Sequence, residues 1–394
     1  MHNALIVDAV RLASGKGKPG GALSGRHPVE LLGHVLSSLV HRNDLDPARV
    51  DDVIAGCVEQ VGEQSLNVAR SAVLGAGFPE SVPATTIDRQ CGSGQQAAHF
   101  AAQGVMAGVY DIVIACGVES MSRVPMGTAP MDQDNLGPTV AARYPQGLVR
   151  QGMSAELVAA RWKLGRSTLD EFAVESHRRA AKAAAEGLFA REMVGLPLGF
   201  EAGEHTMDET VRAGTTCEAL SRLKPAFYSA ELAGRFPDID WRITPGNSSP
   251  LTDGASAVLI MSERAAASSG LRPRARFHAF AVAADDPLYM LTAPIPATER
   301  VLRRAALKID DIDAYEVNEA FASVPLAWAH ELHADPAKLN PWGGAIALGH
   351  ALGSSGTRLL GTLLNHLEAT NGRFGLQTMC EGGGMANATI IERL

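Results

Sequence analysis

The chain has 394 residues, with 35 Lys and Arg against 43 Asp and Glu, and its formal net charge of −8 argues against a face basic enough for bulk nucleic-acid binding. With 46% hydrophobic and 20% charged residues it is composed as a globular protein, and its length predicts two or three domains. Five cysteines, odd in number and without a C-x-x-C pair, argue against a disulfide framework or a zinc site and for a reducing compartment.

In chain order, Met1 to Val10 reads as a buried strand. Gly15 to Gly20 matches G-x-G-x-x-G, but Pro19 and Gly20-Gly21 stop the helix that a dinucleotide pyrophosphate would need, so that site is not expected. A helix follows from Pro28, then strands at Asp52 to Val58 and Thr85 to Ile87. A helix from about Gly94 to Ala107 leads to a strand at Asp111 to Cys116. Strands alternating with helices indicate a wound α/β sheet. From Glu119 to Asn247 strand signals fade, and Leu169 to Leu188 reads as an exposed, charged helix, so an inserted lobe is expected. No window of about 18 apolar residues predicts a membrane span. Neither end carries a secretory leader or a peroxisomal address, so the cytoplasm is the expected location.

An internal repeat is visible. Leu45 to Gly56 and Ile309 to Asn318 each read as an acidic turn and a short apolar strand. In the same order, Cys91 to Gly94 leads through a helix to a strand ending at Cys116-Gly117, and Gly353 to Gly356 leads through a helix to a strand ending at Cys380.

Four segments carry chemistry. Cys91 lies between a strand and a helix start, where backbone amides and the helix dipole favour a thiolate; its thiol is expected below the usual value of about 8.5. Cys57 and Cys116, in strand patterns, read as inert. His350, on a Gly-rich turn, reads either as a satisfied core histidine or as the base of a Cys–His pair. Gly382, Gly383 and Gly384 after Cys380 suit an oxyanion hole built from backbone amides. Asn318 by itself reads as a capping residue.

Together DRQCGSG (Asp88 to Gly94), GVESMSR (Gly117 to Arg123), NEAFA (Asn318 to Ala322), NPWGGAIALGH (Asn340 to His350) and CEGGG (Cys380 to Gly384) resemble the thiolase family over essentially the whole chain. The resemblance implies an α/β fold of two duplicated halves in a five-layered α/β/α/β/α arrangement with an inserted loop domain. The N-terminal half would comprise residues 1–118 plus 247–268, the loop domain 119–246 and the C-terminal half 269–394. By the same resemblance Cys91 is the acyl-accepting nucleophile and His350 activates it. Cys380 exchanges a proton with the acetyl-CoA α-carbon, and Asn318 holds a water that, with His350, stabilises the enolate. The amides of Cys91 and Gly382 form a second oxyanion hole. Arg222, Lys224 and Phe227 resemble the adenine and pantetheine contact segment, Ser249 a pantetheine contact, and Met290 a residue of the acyl pocket.

CoA and 3-ketoacyl-CoA or acetyl-CoA are then substrates, no metal or other cofactor is implied, and a homodimer or homotetramer is expected. The C-terminal sequence resembles degradative members, some acting on bulky or steroid-derived chains, so degradative thiolysis of chains longer than four carbons is expected. The alternatives are biosynthetic condensation of two acetyl-CoA, a ketoacyl-synthase-like enzyme, and an inactive acyl-CoA binding protein. The sequence departs from the family pattern at Asp88, Ala351, Glu381 and Met385-Ala386-Asn387. Of these Glu381, beside Cys380, is expected to raise that thiol's pKa.

Overall fold

A computed structural model describes residues 3–198 and 203–394. Ten strands form one sheet: β1 (Ala4–Arg11), β2 (Gly15–Lys16), β3 (Asp52–Gly56), β4 (Ala84–Ile87), β5 (Ile112–Ser120), β6 (Thr252–Ser262), β7 (Ala275–Ala284), β8 (Ala314–Val317), β9 (Phe374–Glu381) and β10 (Met385–Arg393). Their order is β8-β9-β10-β7-β1-β6-β5-β3-β4, with β2 beside β6. Apolar runs in β1, β5 and β6 are buried along their length, as strands covered on both faces must be. Two register pairs, Leu5 with Arg276 and Ile6 with Ala275, join what are otherwise two half-sheets. Met1 and His2 of the expected first strand lie outside the described residues.

The longer helices are α1 (Pro28–Arg42), α2 (Val68–Gly75), α3 (Ser93–Met106), α4 (Gln151–Arg161), α5 (Arg166–Ala185), α6 (Pro294–Ala305), α7 (Ser323–Leu332) and α8 (Leu352–Thr370), of which α4 and α5 pack on other helices and the rest cover the sheet. Alternation along β1 sorts its side chains. Leu5, Val7 and Val10 meet α1 and α2, whereas Ala4, Ile6 and Ala9 meet α3 and α8. On its other side α8 reaches Phe277, Ala314 and Ile391 of the second half-sheet. The far face of that half-sheet is closed by Val301 of α6 and Trp328 of α7. The layers therefore run α/β/α/β/α, and α8, at the centre, is buried around most of its circumference.

The central helices touch backbone to backbone. A Cβ on Gly356 would overlap the Gln95 amide, and one on Gly94 would lie 2.7 Å from the Gly353 carbonyl oxygen. Only glycine permits that approach, and it sets the starts of α3 and α8 side by side.

The duplication is fixed by one hydrogen-bond pattern. Asp51 Oδ2 accepts the N–H groups of Asp111 and Ile112 at 2.7 and 2.8 Å, at the start of β5. Asp313 Oδ2 accepts those of Arg373 and Phe374 at 2.6 and 2.9 Å, at the start of β9. This register corrects one detail of the repeat: Cys380 corresponds to Val118, not to Cys116. It also aligns Glu381 with Glu119, because β5 continues beyond Cys116 to Ser120.

The regular elements of the segment between β5 and β6 are mainly helices, α4 and α5 the longest. Arg11 of β1 anchors it through Glu192 at 2.6 Å and Asp208 at 2.7 Å. The expectation that the Leu169 to Leu188 helix is exposed is corrected. One face of α5, with Leu169, Ala173, Ser176, Ala180 and Ala183, is buried, and its alanines were too weakly hydrophobic to mark a stripe. Among the described residues no helix is long and apolar enough to cross a membrane.

Candidate active site

Cys91 sits one residue before Gly92, the cap of α3, in a tightly held turn. Gln90 adopts φ 48°, the left-handed region that a side chain rarely occupies. The turn is held by Asp88 Oδ1, which accepts the Gln90 N–H at 2.6 Å. Ser93 Oγ accepts the Arg89 N–H at 2.8 Å and donates to the Gln90 carbonyl at 2.6 Å. Cys91 is buried and packs with Met121, Leu352, Leu359 and Met379. Contrary to the sequence expectation, its thiol is not lowered: burial pushes it up to about 12, with Gln151, whose Nε2 donates to Sγ at 3.9 Å, opposing. At rest Cys91 is a neutral thiol and needs a base.

His350 precedes α8 and is held at three points. Its N–H donates to Thr252 Oγ1 at 3.0 Å, Nδ1 lies 2.7 Å from Ser355 Oγ, and Nε2 lies 3.3 Å from Asn318 Nδ2. Ser355 Oγ gives its own proton to the Ala351 carbonyl at 2.8 Å, so it accepts from His350 Nδ1–H. Asn318 Nδ2 can only donate. The two contacts assign the Nδ1–H tautomer and leave the lone pair on Nε2. Burial, with Arg358 adding to it, holds the imidazole down to about 3, so it stays neutral.

Asn318 follows β8 and is buried, its N–H bonded to the Thr378 carbonyl at 3.1 Å and its Oδ1 without a partner among the described residues. Asn340 braces this turn by accepting from the Val317 N–H at 2.8 Å and donating to Glu319 at 2.8 Å. Glu319 also accepts from Ser176 Oγ of α5 at 2.6 Å, so the inserted segment supports the Asn318 loop.

Cys380, near the end of β9, is buried; burial and then the neighbouring Cys91 push its thiol well above the ordinary range. Glu381 contributes to that rise in the expected direction, after those two causes. Gly382 approaches the nucleophile turn so closely that a Cβ there would lie 2.7 Å from Gln90 Oε1. Gly383 and Gly384, at φ 82° and 79°, turn the chain into β10. Cys91, Cys380 and Gly382 thus lie together and His350 lies with Asn318, while Leu352, two residues after His350, packs with Cys91.

The remaining candidates divide. Met290 shares one apolar cluster with Cys380, Leu291, Phe321 and Ile346. Phe227 meets Phe321 edge to face, with centroids 5.9 Å apart. Ser249 donates its N–H to the Ala320 carbonyl at 3.0 Å, which ties it to the Asn318 loop. Arg222 and Lys224 are exposed, Arg222 pairing with Glu218, and no described contact joins either to Cys91, His350, Cys380, Asn318 or Gly382.

Sequence reasoning missed Ser355, Gln151, Thr252 and Glu119. Ser355 was within reach, a hydroxyl one helical turn into the helix that His350 precedes. Gln151, Thr252 and Glu119 come from distant segments that only the fold brings together.

Residues 4–264 match the thiolase N-terminal domain family and residues 271–393 the thiolase C-terminal domain family. A steroid 3-ketoacyl-CoA thiolase of Mycobacterium tuberculosis is 47% identical over 402 residues, covering 100% of this chain and 95% of that protein. A 3-ketoacyl-CoA thiolase of Saccharophagus degradans is 42% identical over 400 residues, covering 100% and 99%. The crystal structure of the Bacillus anthracis acetyl-CoA acetyltransferase superposes with a TM-score of 0.89 at 37% identity, covering 100% of this chain and 99% of that one. With both domain families matched in order along nearly its full length, the chain belongs to the thiolase family.

Proposed function

We propose that the protein is a degradative thiolase, an acyltransferase that cleaves 3-ketoacyl-CoA with CoA to release acetyl-CoA. The observation that carries this reading is the fixed tautomer of His350, whose unprotonated Nε2, met by the Asn318 Nδ2–H at 3.3 Å, is the basic atom available to the neutral buried thiols. His350 Nε2 takes the Cys91 proton, and the thiolate attacks the C3 ketone of the substrate. The C2–C3 bond breaks, its electron pair passes to the acetyl-CoA enolate, and Cys380 delivers its proton to C2. CoA then attacks the acyl-Cys91 thioester. Cys91 leaves with the proton held by His350, and the CoA thiol proton restores Cys380.

The enolate is the costly species, so donors preorganised at its oxygen lower the barrier most. Asn318, through a bound water, and His350 serve there, while the amides of Cys91 and Gly382 serve the tetrahedral intermediates. This sequence of steps consumes no metal or redox cofactor; CoA enters as a substrate.

Two curated relatives bear the name 3-ketoacyl-CoA thiolase, one of them a steroid 3-ketoacyl-CoA thiolase, which supports acyl chains longer than four carbons. Met290, Phe321 and Ile346 offer that chain an apolar wall. Arg222, Lys224, Phe227 and Ser249 hold CoA, the two cations at its phosphates. The structural likeness to an acetyl-CoA acetyltransferase favours the second reading, condensation of two acetyl-CoA. The protein acts in the cytoplasm as a homodimer or homotetramer, which light scattering on the purified chain tests.

The first test is CoA-dependent thiolysis of acetoacetyl-CoA, a medium-chain and a bulky 3-ketoacyl-CoA, alongside Cys91→Ala. Preference for the longer substrates, lost in the variant, is the expected result. A preference for acetoacetyl-CoA would move the reading to the biosynthetic one, and no cleavage of any of them would sink both.

A further inference from the structure

Glu381 ends β9 in a position that is wholly buried, and neither of its carboxyl oxygens makes a well-formed hydrogen bond among the described residues; the Asn387 N–H is the one backbone donor that favours its charge. On β10, Asn387 lies opposite Met379, so alternation sets Glu381, Met379 and Asn387 on one face of the sheet and Cys380 on the other. Glu381 and Asn387 converge on Gly92. A Cβ at Gly92 would overlap Glu381 Oε1 and lie 2.9 Å from Asn387 Nδ2. Asn387 Nδ2 donates to the Gly92 carbonyl at 2.9 Å, and the same carbonyl accepts the Gln96 N–H of α3 at 2.8 Å. Asn387 Oδ1, like the carboxyl oxygens, is buried without a well-formed hydrogen bond.

Acceptors buried together and lacking a donor are costly, and a proton on the carboxyl satisfies the cluster at once. We propose that Glu381 is a positioning residue held as a neutral acid, which donates to Asn387 Oδ1 and, through Asn387 and Gly92, fixes the Cys91 turn. Its ionisation at alkaline pH breaks that chain of bonds and sets a negative charge against the Cys91 thiolate. The proposal rests on the reading of Cys91 as the nucleophile.

The charged and titratable groups facing this site pull both ways, Arg89 and the Asn387 N–H towards the ionised carboxylate and burial and Asp88 towards the neutral acid, with burial the largest. From the loop before α3 come Asp88, which opposes ionisation of Glu381, and Arg89, which favours it; from β9 comes Cys380, and from β10 only the neutral Asn387. Burial is the largest cause and pushes the carboxyl up to about 8. Cys91 is faced by Glu381 and by Glu119, each of which raises its thiol.

The test is the rate of Cys91 alkylation by iodoacetamide in the full-length protein between about pH 7 and about pH 9, read on the Cys91 peptide by mass spectrometry. Glu381→Gln keeps an N–H donor and never ionises, so its ratio of alkaline to neutral rate should exceed the wild-type ratio by about threefold or more. Glu381→Leu, with no donor, should be slower than Glu381→Gln throughout. Superimposable ratios in wild type and Glu381→Gln would overturn the proposal and leave the nucleophile standing. No alkylation of Cys91 at any pH would overturn the nucleophile and the proposal with it. Should Glu381→Gln not fold, the wild-type profile decides: a rise of less than about tenfold per pH unit is expected, and a full tenfold rise overturns the proposal.

Discussion

Glu119 and Glu381 stand at the same place in the two halves, the same seven residues beyond the strand start that Asp51 or Asp313 holds. Each reaches across to the first turn of the other half's central helix. Glu119 accepts the Gly353 N–H of α8 at 2.9 Å, and Glu381 lies against Gly92 at the start of α3. Their surroundings differ completely. Glu119 also accepts from the Val58 and Glu59 amides at 3.0 and 3.1 Å and from Gln64 Nε2 at 2.8 Å. Glu381 makes no comparably well-formed hydrogen bond among the described residues, and only the Asn387 N–H favours its charge. Duplication supplied one buried carboxyl twice; four N–H donors, with the Cys57 thiol at 3.9 Å, make the first a fixed brace for the helix that His350 precedes. Without such a set of donors the second is left to hold a proton beneath the helix that Cys91 precedes.

The largest effect should come from removing the saturated member. Glu119→Ala leaves four donors without their acceptor, and at about 1 kcal/mol or more for each the loss should reach about 4 kcal/mol. Urea unfolding of the variant measures it; a loss below about 1 kcal/mol would show that Glu119 braces nothing. The orphaned member should respond with the opposite sign. With its folded pKa raised to about 8 from an ordinary 4.5, Glu381 binds one proton more in the folded state between those values. Its contribution is therefore fully present below about 4.5 and lost as pH rises towards 8. Glu381→Gln removes that slope, so the variant should gain roughly 3.5 kcal/mol relative to wild type between about pH 5 and about pH 8. Parallel stability curves would erase the contrast between the two carboxyls.

Much of this was legible in the sequence for a physical reason. Buried strands are continuous apolar runs, and a close backbone approach demands glycine, so β1, β5 and the turns around Cys91 and Cys380 could be read directly. The resemblance to the family then supplied the roles of Cys91, His350, Cys380 and Asn318. What could not be read was set by distant partners. The sequence-local helix dipole argued for a lowered Cys91 thiol, whereas burial under Met121, Leu352 and Met379, drawn from three other segments, pushes it up. The buried face of α5 was hidden because Ala173, Ala180 and Ala183 carry little hydrophobic signal. Glu381 was visible as an unusual residue, but its shortage of donors is a property of Gly92 and Asn387 as much as of itself.

A second pair of equivalent roles sharpens the contrast between the two helix starts. In the N-terminal half, Ser93 Oγ spends both its bonds on backbone, fixing the shape of the turn that presents Cys91. In the C-terminal half, Ser355 Oγ spends one on the Ala351 carbonyl and one on the His350 ring, fixing a tautomer. Removing the second hydroxyl should therefore change chemistry more than stability. In Ser355→Ala the imidazole loses its Nδ1 acceptor, and its proton is free to move to Nε2, where it blocks the base. One neutral hydrogen bond is worth about 1 kcal/mol, so kcat for thiolysis should fall about fivefold to tenfold with KM within about twofold. Ser355→Thr keeps the hydroxyl and should recover most of the rate. If Ser355→Ala instead lowers the melting temperature and leaves kcat untouched, Ser355 is a helix residue and the tautomer is held by Asn318 alone.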